Sequence, residues 1–162
     1  MKILGISAFY HDSAAALTID GKIIAAAQEE RFTRKKHDPS FPLNAVKFCL
    51  RQSGLKIDEL DAVAFYDKPW LKFERLMMTY YMNAPKGFKS FSQAVPVWTK
   101  EKMFLYKIIE DELSSAEQYD KGKLKILFPS HHLSHAASAF FASPYNKSAV
   151  LTIDGVGEWE TA

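Results

Sequence analysis

Apolar positions along this chain come in short blocks, and their spacing changes character after Pro39. Residues 2–9 (KILGISAF) are apolar almost throughout, the pattern of a buried strand, and AAALTI at 14–19 follows after the polar turn Tyr10, His11, Asp12, Ser13. Asp20-Gly21 is a strong hairpin signal leading into a third strand from Lys22 to Gln28, so the first segment predicts an antiparallel three-stranded meander. Beyond it the period lengthens. Phe41-Pro42 opens LNAVKFCLRQSG, with helical spacing at Leu43, Val46, Phe48, Cys49 and Leu50, a proline near the first turn and Gly54 as the stop. DAVAFY at 61–66 reads as another strand, reached through KIDEL. Strand, helix and strand after a meander imply a layered, mixed α/β domain.

Residues 69–120 are rich in aromatic residues and methionine, with Pro85 and Pro96 as breaks, and predict two helices at about 69–82 and 98–118. Phe104, Leu105, Ile108, Ile109 and Leu113 form one stripe on the second, which reads as core rather than a cofactor box. LKILF at 124–128 predicts a strand ending at Pro129, which hands the chain to a histidine-bearing helix with Ser130 at its N-cap. A last strand is expected over Ala149–Ile153, delivering Asp154-Gly155-Val156-Gly157-Glu158 into a turn. The chain stops at Ala162 inside that loop, as a piece of a longer protein would.

Composition narrows the functional classes. With 162 residues, 48% of them hydrophobic, a buried core is within reach. Apolar runs fall far short of the ~20 residues a membrane span requires, and the amino terminus reads as a strand rather than a signal peptide, so no membrane partner is expected. The single cysteine, Cys49, excludes an internal disulfide and fits a reducing compartment; a cytoplasmic location is expected. A formal charge of +2 is too small to imply nucleic-acid binding, and the basic run Arg31, Arg34, Lys35, Lys36 reads by default as a solvated loop.

Chemistry concentrates in SHHLSHAASAFF at 130–141, which holds three of the five histidines. On a helix His131 and His135 share a face and can turn two imidazoles toward one ion, although a surface capping cluster has the same appearance. No glutamate follows His131 or His132 as an HExxH hydrolase needs, and no Asp-Gly stands at the offset of an HHxxxDG acyltransferase. Two further segments, GISAFYHDSAA at 5–15 and TIDGVGEWET at 152–161, each predict a buried strand running into a turn of small and polar residues. Gly155 and Gly157 let backbone amides approach an anion such as a nucleotide phosphate, and Asp154 can hold a cation; Asp-Gly also serves turns for purely conformational reasons.

GISAFYHDSAAALTIDGKIIAAAQEERFTRKKHDPSFP, SHHLSHAASAFFASPY and AVLTIDGVGEWET together closely resemble the amino-terminal part of the carbamoyltransferases of the nodulation and antibiotic-tailoring type. The resemblance implies the amino-terminal lobe of an actin, Hsc70 and sugar-kinase-like fold, a mixed sheet flanked by helices, similar to the universal tRNA threonylcarbamoyl-transfer protein. It makes residues 1–162 the first part of one carbamoyltransferase domain, inactive alone, with the other lobe and a carboxy-terminal domain lying outside it. It further implies a two-step reaction in which carbamoyl phosphate and ATP give carbamoyl adenylate, whose carbamoyl group passes to a hydroxyl of a small-molecule acceptor. Carried over by residue, His131, His135 and Asp154 become ligands of a divalent metal, with Fe²⁺ favoured, and a further aspartate of the family lies beyond residue 162. His11 and Asp12 become candidates for taking the acceptor's proton, and Arg31 or Lys35 for meeting substrate phosphate, while His132 is a supporting donor or a cap. A non-catalytic nucleotide-binding or interaction module that kept the actin-like fold is the alternative.

Overall fold

Leu4, Ile6, Ala15 and Leu17 alternate with less buried neighbours and are almost fully enclosed, so the meander presents one apolar face to a core. In the computed structural model, which describes residues 1–98 and 104–155, the strands are β1 (Lys2–Ser7), β2 (Ala14–Ile19), β3 (Lys22–Gln28), β4 (Ala62–Phe65) and β5 (Ile126–Leu127). They form one mixed sheet in the order β3-β2-β1-β4-β5. β1 pairs antiparallel with β2, β2 antiparallel with β3, and the β1/β4 and β4/β5 pairs are parallel. Asp20 and Gly21 both take positive φ, 49° and 79°, as the tight turn between β2 and β3 requires, and the terminal ammonium of Met1 bonds the Asp20 carboxylate.

The helices are α1 (Glu30–Thr33), α2 (Leu43–Ser53), α3 (Pro69–Asn83), α4 (Phe88–Val97), α5 (Leu105–Ala116) and α6 (His131–Phe140). α2 buries Ala45, Val46, Cys49 and Leu50 against β2 and β3, and the Cys49 thiol points at the carbonyls of Ala15 and Ala25. Gly54 ends α2 in the left-handed region, φ 68°, where a side chain would be strained. The chain divides into two units, Met1–Tyr66 with Tyr106–Phe128, and Asp67–Leu105 with Pro129–Ala162. The first contains the whole sheet; in the second, Tyr80 stacks on Phe91 at 4.0 Å and holds α4 to α3.

The mixed α/β reading, the meander, α2 and α3 match the expectation; other details differ, and of the strand expected at 124–128 only Ile126–Leu127 pairs. Residues 149–153 form no strand, because a strand exists only through a ladder and no described segment pairs with them; Leu151 and Ile153 are largely exposed. A separate helix, α4, carries Pro96 near its carboxy-terminal end instead of breaking there, and Tyr80 of α3 stacks on its Phe91. The helix expected at 98–118 runs Leu105–Ala116, residues 99–103 lying outside the described ones, and Leu105, Ile109 and Leu113 are its buried stripe while Phe104 faces outward. Ser130 occupies the N-cap position of α6 without a side-chain capping bond.

Candidate functional site

In the first unit, two loops are sewn together beneath an exposed polar cluster. The Phe9 amide donates to Pro39 O at 2.8 Å, the Ser13 amide and hydroxyl both donate to Asp38 O, and the Glu29 amide donates to Ser13 O. Ser13, Glu29 and Asp38 are nearly inaccessible, yet each is satisfied, as burial of polar groups demands. Glu29 accepts from the amides of Asn44 and Ala45 and from the Asn44 side chain, so a carboxylate at the end of β3 caps the amino-terminal turn of α2. Asp38 accepts from the Ser40 hydroxyl and amide and from Thr33 Oγ1; the Ser40 hydroxyl and then the Ser40 amide do most to bring its carboxyl down to about 2.

On this base stand His11, Asp12 and His37. His11 Nδ1 lies 2.8 Å from Asp12 Oδ2, and His37 Nδ1 lies 2.8 Å from Asp12 Oδ1, so one carboxylate holds two imidazoles. Those bonds, His37's foremost and His11's next, keep the Asp12 carboxyl below its ordinary range. Phe9, Asp12 and His37 all have positive φ, at 68°, 50° and 54°. Non-glycine residues in this region cost roughly 1–3 kcal/mol each, and such residues gather at functional sites. Arg31 and Lys35, expected at substrate phosphate, are both mostly exposed, Arg31 at 3.5 Å from Glu30 and Lys35 at 3.7 Å from Asp38. His37 is not among the residues the sequence reading assigns a role; the available signal was its adjacency to Asp38-Pro39, where the chain turns.

The second unit assembles a different cluster. One turn of α6 separates His131 and His135, and their Nε2 atoms stand 3.1 Å apart. Asp154 Oδ2, from the irregular segment after the helix, lies 2.6 Å from His131 Nε2 and 3.9 Å from His135 Nε2. These separations leave a point roughly 2 Å from all three atoms, against bonds of about 2.0–2.2 Å from imidazole and carboxylate to a divalent transition ion. The donor set fits such an ion by both chemistry and spacing, and these three ligands leave coordination positions for further donors. Asp67, absent from the sequence reading, has Oδ1 3.9 Å from His131 Nδ1 and Oδ2 2.5 Å from Lys72 Nζ, placing a lysine-neutralised carboxylate behind the ligand ring. Its position just after β4 was the available clue.

His132 neither caps α6 nor joins the three: its Nε2 is buried and meets no hydrogen-bond partner among the described residues. Gly155 is exposed, and an added Cβ there would meet nothing within 4 Å, so close approach of a described neighbour does not require glycine. Gly157 lies outside the described residues. No helix among the described residues is long and apolar enough to cross a membrane.

The chain is 52% identical over 160 residues to the uncharacterized protein sll1178 of Synechocystis sp., covering 98% of this chain and 26% of that protein. It is 34% identical over 155 residues to the nodulation protein NolNO of Sinorhizobium fredii, covering 93% and 20%, and 26% identical over 203 positions to the uncharacterized protein MJ1058 of Methanocaldococcus jannaschii, covering 99% and 32%. It thus spans a fifth to a third of the length of these curated relatives. Residues 2–162 match the family described as Carbamoyltransferase N-terminus, and the chain that carries both clusters belongs to that family.

Proposed function

We propose that this chain supplies the acceptor-side machinery of an ATP-dependent O-carbamoyltransferase with an actin-like fold, working in the cytoplasm, where a lone thiol stays reduced. Carbamoyl phosphate and ATP give carbamoyl adenylate, and the carbamoyl group then passes to the hydroxyl of a small-molecule acceptor. The convergence of His131 Nε2, His135 Nε2 and Asp154 Oδ2 in a chain of this family carries the reading. These three residues hold a divalent metal, Fe²⁺ by preference for two imidazoles and a carboxylate, and when bound it supplies Lewis-acid polarisation of the carbamoyl carbonyl.

The chain's own groups do the rest. The Asp154 carboxylate offsets the positive charge the imidazoles alone could not, and the Asp67 carboxylate, paired with Lys72, lies 3.9 Å from His131 Nδ1. His11, with Nδ1 tied to Asp12, offers Nε2 as the proton acceptor for the hydroxyl. Arg31 and Lys35 are cations of the first unit that a substrate phosphate can recruit from their weak partners.

The test separates the two half-reactions. In the intact protein that carries this sequence, His131→Ala removes acceptor carbamoylation by about 100-fold or more while leaving carbamoyl-adenylate formation nearly unchanged, each product being followed separately. Equal loss of both, or loss of neither, refutes the assignment; binding of nucleotide without any carbamoylated product in the unaltered protein points instead to a non-catalytic module.

A further inference from the structure

The transfer reading uses His11 and Asp12 but gives His37 no task. His37 comes from a second loop, twenty-five positions further on, and the fold goes to some length to bring it there. Its amide donates to Glu30 Oε2 at 3.2 Å, its backbone is held at φ 54°, and the next residue, Asp38, is locked by Ser13, Ser40 and Thr33. Asp12 is ionised above its lowered pKa, so the carboxylate can only accept. Each imidazole must therefore carry its proton on Nδ1 toward Asp12 and, when neutral, turn a free Nε2 lone pair away from it. A neutral histidine alone in water has no such constraint.

A carboxylate held by one imidazole can rotate about its Cβ–Cγ bond; one held by two from different loops cannot. Asp12 gains this second tether from His37 Nδ1–H on Oδ1, which leaves Oδ2 facing His11. Strained backbone at both Asp12 and His37 is retained only where surrounding structure enforces it, and here the loops are joined by the buried Ser13–Asp38 bonds.

We propose, resting on the carbamoyl-transfer reading, that His37 is a positioning residue of the transfer step: it fixes the Asp12 carboxylate so that His11 is held with its proton on Nδ1 and its Nε2 lone pair outward. The acceptor hydroxyl then gives its proton to His11 Nε2 as its oxygen bonds the carbamoyl carbon. The bond from that carbon to the adenylate oxygen breaks, and AMP leaves with the electron pair. His37 touches none of the reacting atoms; it acts through Asp12.

Two substitutions isolate this role. His37→Gly removes the donor while accepting the positive φ, and His37→Asn replaces Nδ1–H by an amide N–H at a similar reach and also tolerates that backbone. Histidine-selective ¹⁵N NMR on this chain reads the His11 tautomer directly, and steady-state kinetics on the intact protein read kcat and acceptor KM. Expected are a wild-type His11 protonated on Nδ1 when neutral, a shift toward the Nε2–H form in His37→Gly with kcat lowered about tenfold and KM unchanged, and recovery of both in His37→Asn. An unchanged His11 tautomer in His37→Gly, or an Asn variant no better than Gly, overturns the proposal. The expected tautomer shifts in a protein whose wild type carbamoylates no acceptor would uphold the positioning of His11 and sink the functional reading instead.

Discussion

The two units of this chain hold their polar clusters by opposite means. In the first, a mixed sheet and α2 enclose Leu4, Leu17, Val46, Cys49 and Val63 almost completely, and the loops bearing His11 and His37 are fastened by buried Ser13, Glu29 and Asp38. In the second, neither α3 nor α6 has a fully buried residue, and Leu105 is the one buried apolar residue among those described. Trp70, Tyr81, Met82, Leu133 and Phe141 are exposed there. Helical periodicity by itself aligns His131 with His135, and Asp154 approaches them from an irregular segment. A cluster supported by a core is set when the chain folds. One supported by helix geometry and a loop depends far more on what its ligand atoms grip.

Built-in probes separate the units: the single thiol, Cys49, lies in the first, while the two tryptophans among the described residues, Trp70 and Trp98, fall in the second. The sharpest break of the contrast comes from Leu17→Ala. Truncating this fully enclosed side chain lowers stability by about 2–5 kcal/mol, seen as an earlier denaturant midpoint for Cys49 reactivity toward a thiol reagent. A change below about 1 kcal/mol would mean the first unit is loosely packed after all.

Next in size is the response to metal. Fe²⁺ supplied anaerobically at 100 times its dissociation constant adds about 2.7 kcal/mol to the folded state, read as a later tryptophan-fluorescence transition, and His135→Ala abolishes the gain. If Cys49 protection rises and tryptophan fluorescence stays put, the ion has bound elsewhere. The smallest effect belongs to Leu133→Ala on α6: this side chain is 59% exposed, and its loss changes stability by no more than about 0.5 kcal/mol. A loss as large as that of Leu17→Ala would reveal packing around α6 and erase the contrast.

What could be read in advance follows the same division. The meander was legible because Asp20-Gly21 dictates a hairpin and the apolar positions of β1 and β2 fix its register; α2 was legible between Pro42 and Gly54. His131 and His135 were legible because helical spacing is local. Asp154 came through family resemblance, and the strand expected to deliver it did not form, since pairing is not a property of the segment that pairs. α4 escaped notice because Pro96 outvoted an aromatic stack no local pattern reports. His37 and Asp67 escaped for a related reason: their partners, Asp12 and His131, come from distant stretches of chain, brought near by contacts that spacing does not encode.

The place of β3 in the sheet has a consequence for the molecule in concentrated solution. β3 is the outermost strand beside β2, so among the described residues one row of its backbone amides and carbonyls has no strand beyond it, and Ile23, 69% exposed, sits on that strand with Ile24. An apolar margin with open donors and acceptors invites a second molecule to continue the sheet. Lys22 at its start and the register shift opposite Leu17 and Thr18 work against such addition, by charge and by bending the edge. Lys22, at the edge farthest from β5, is therefore a charge that opposes strand-to-strand association there.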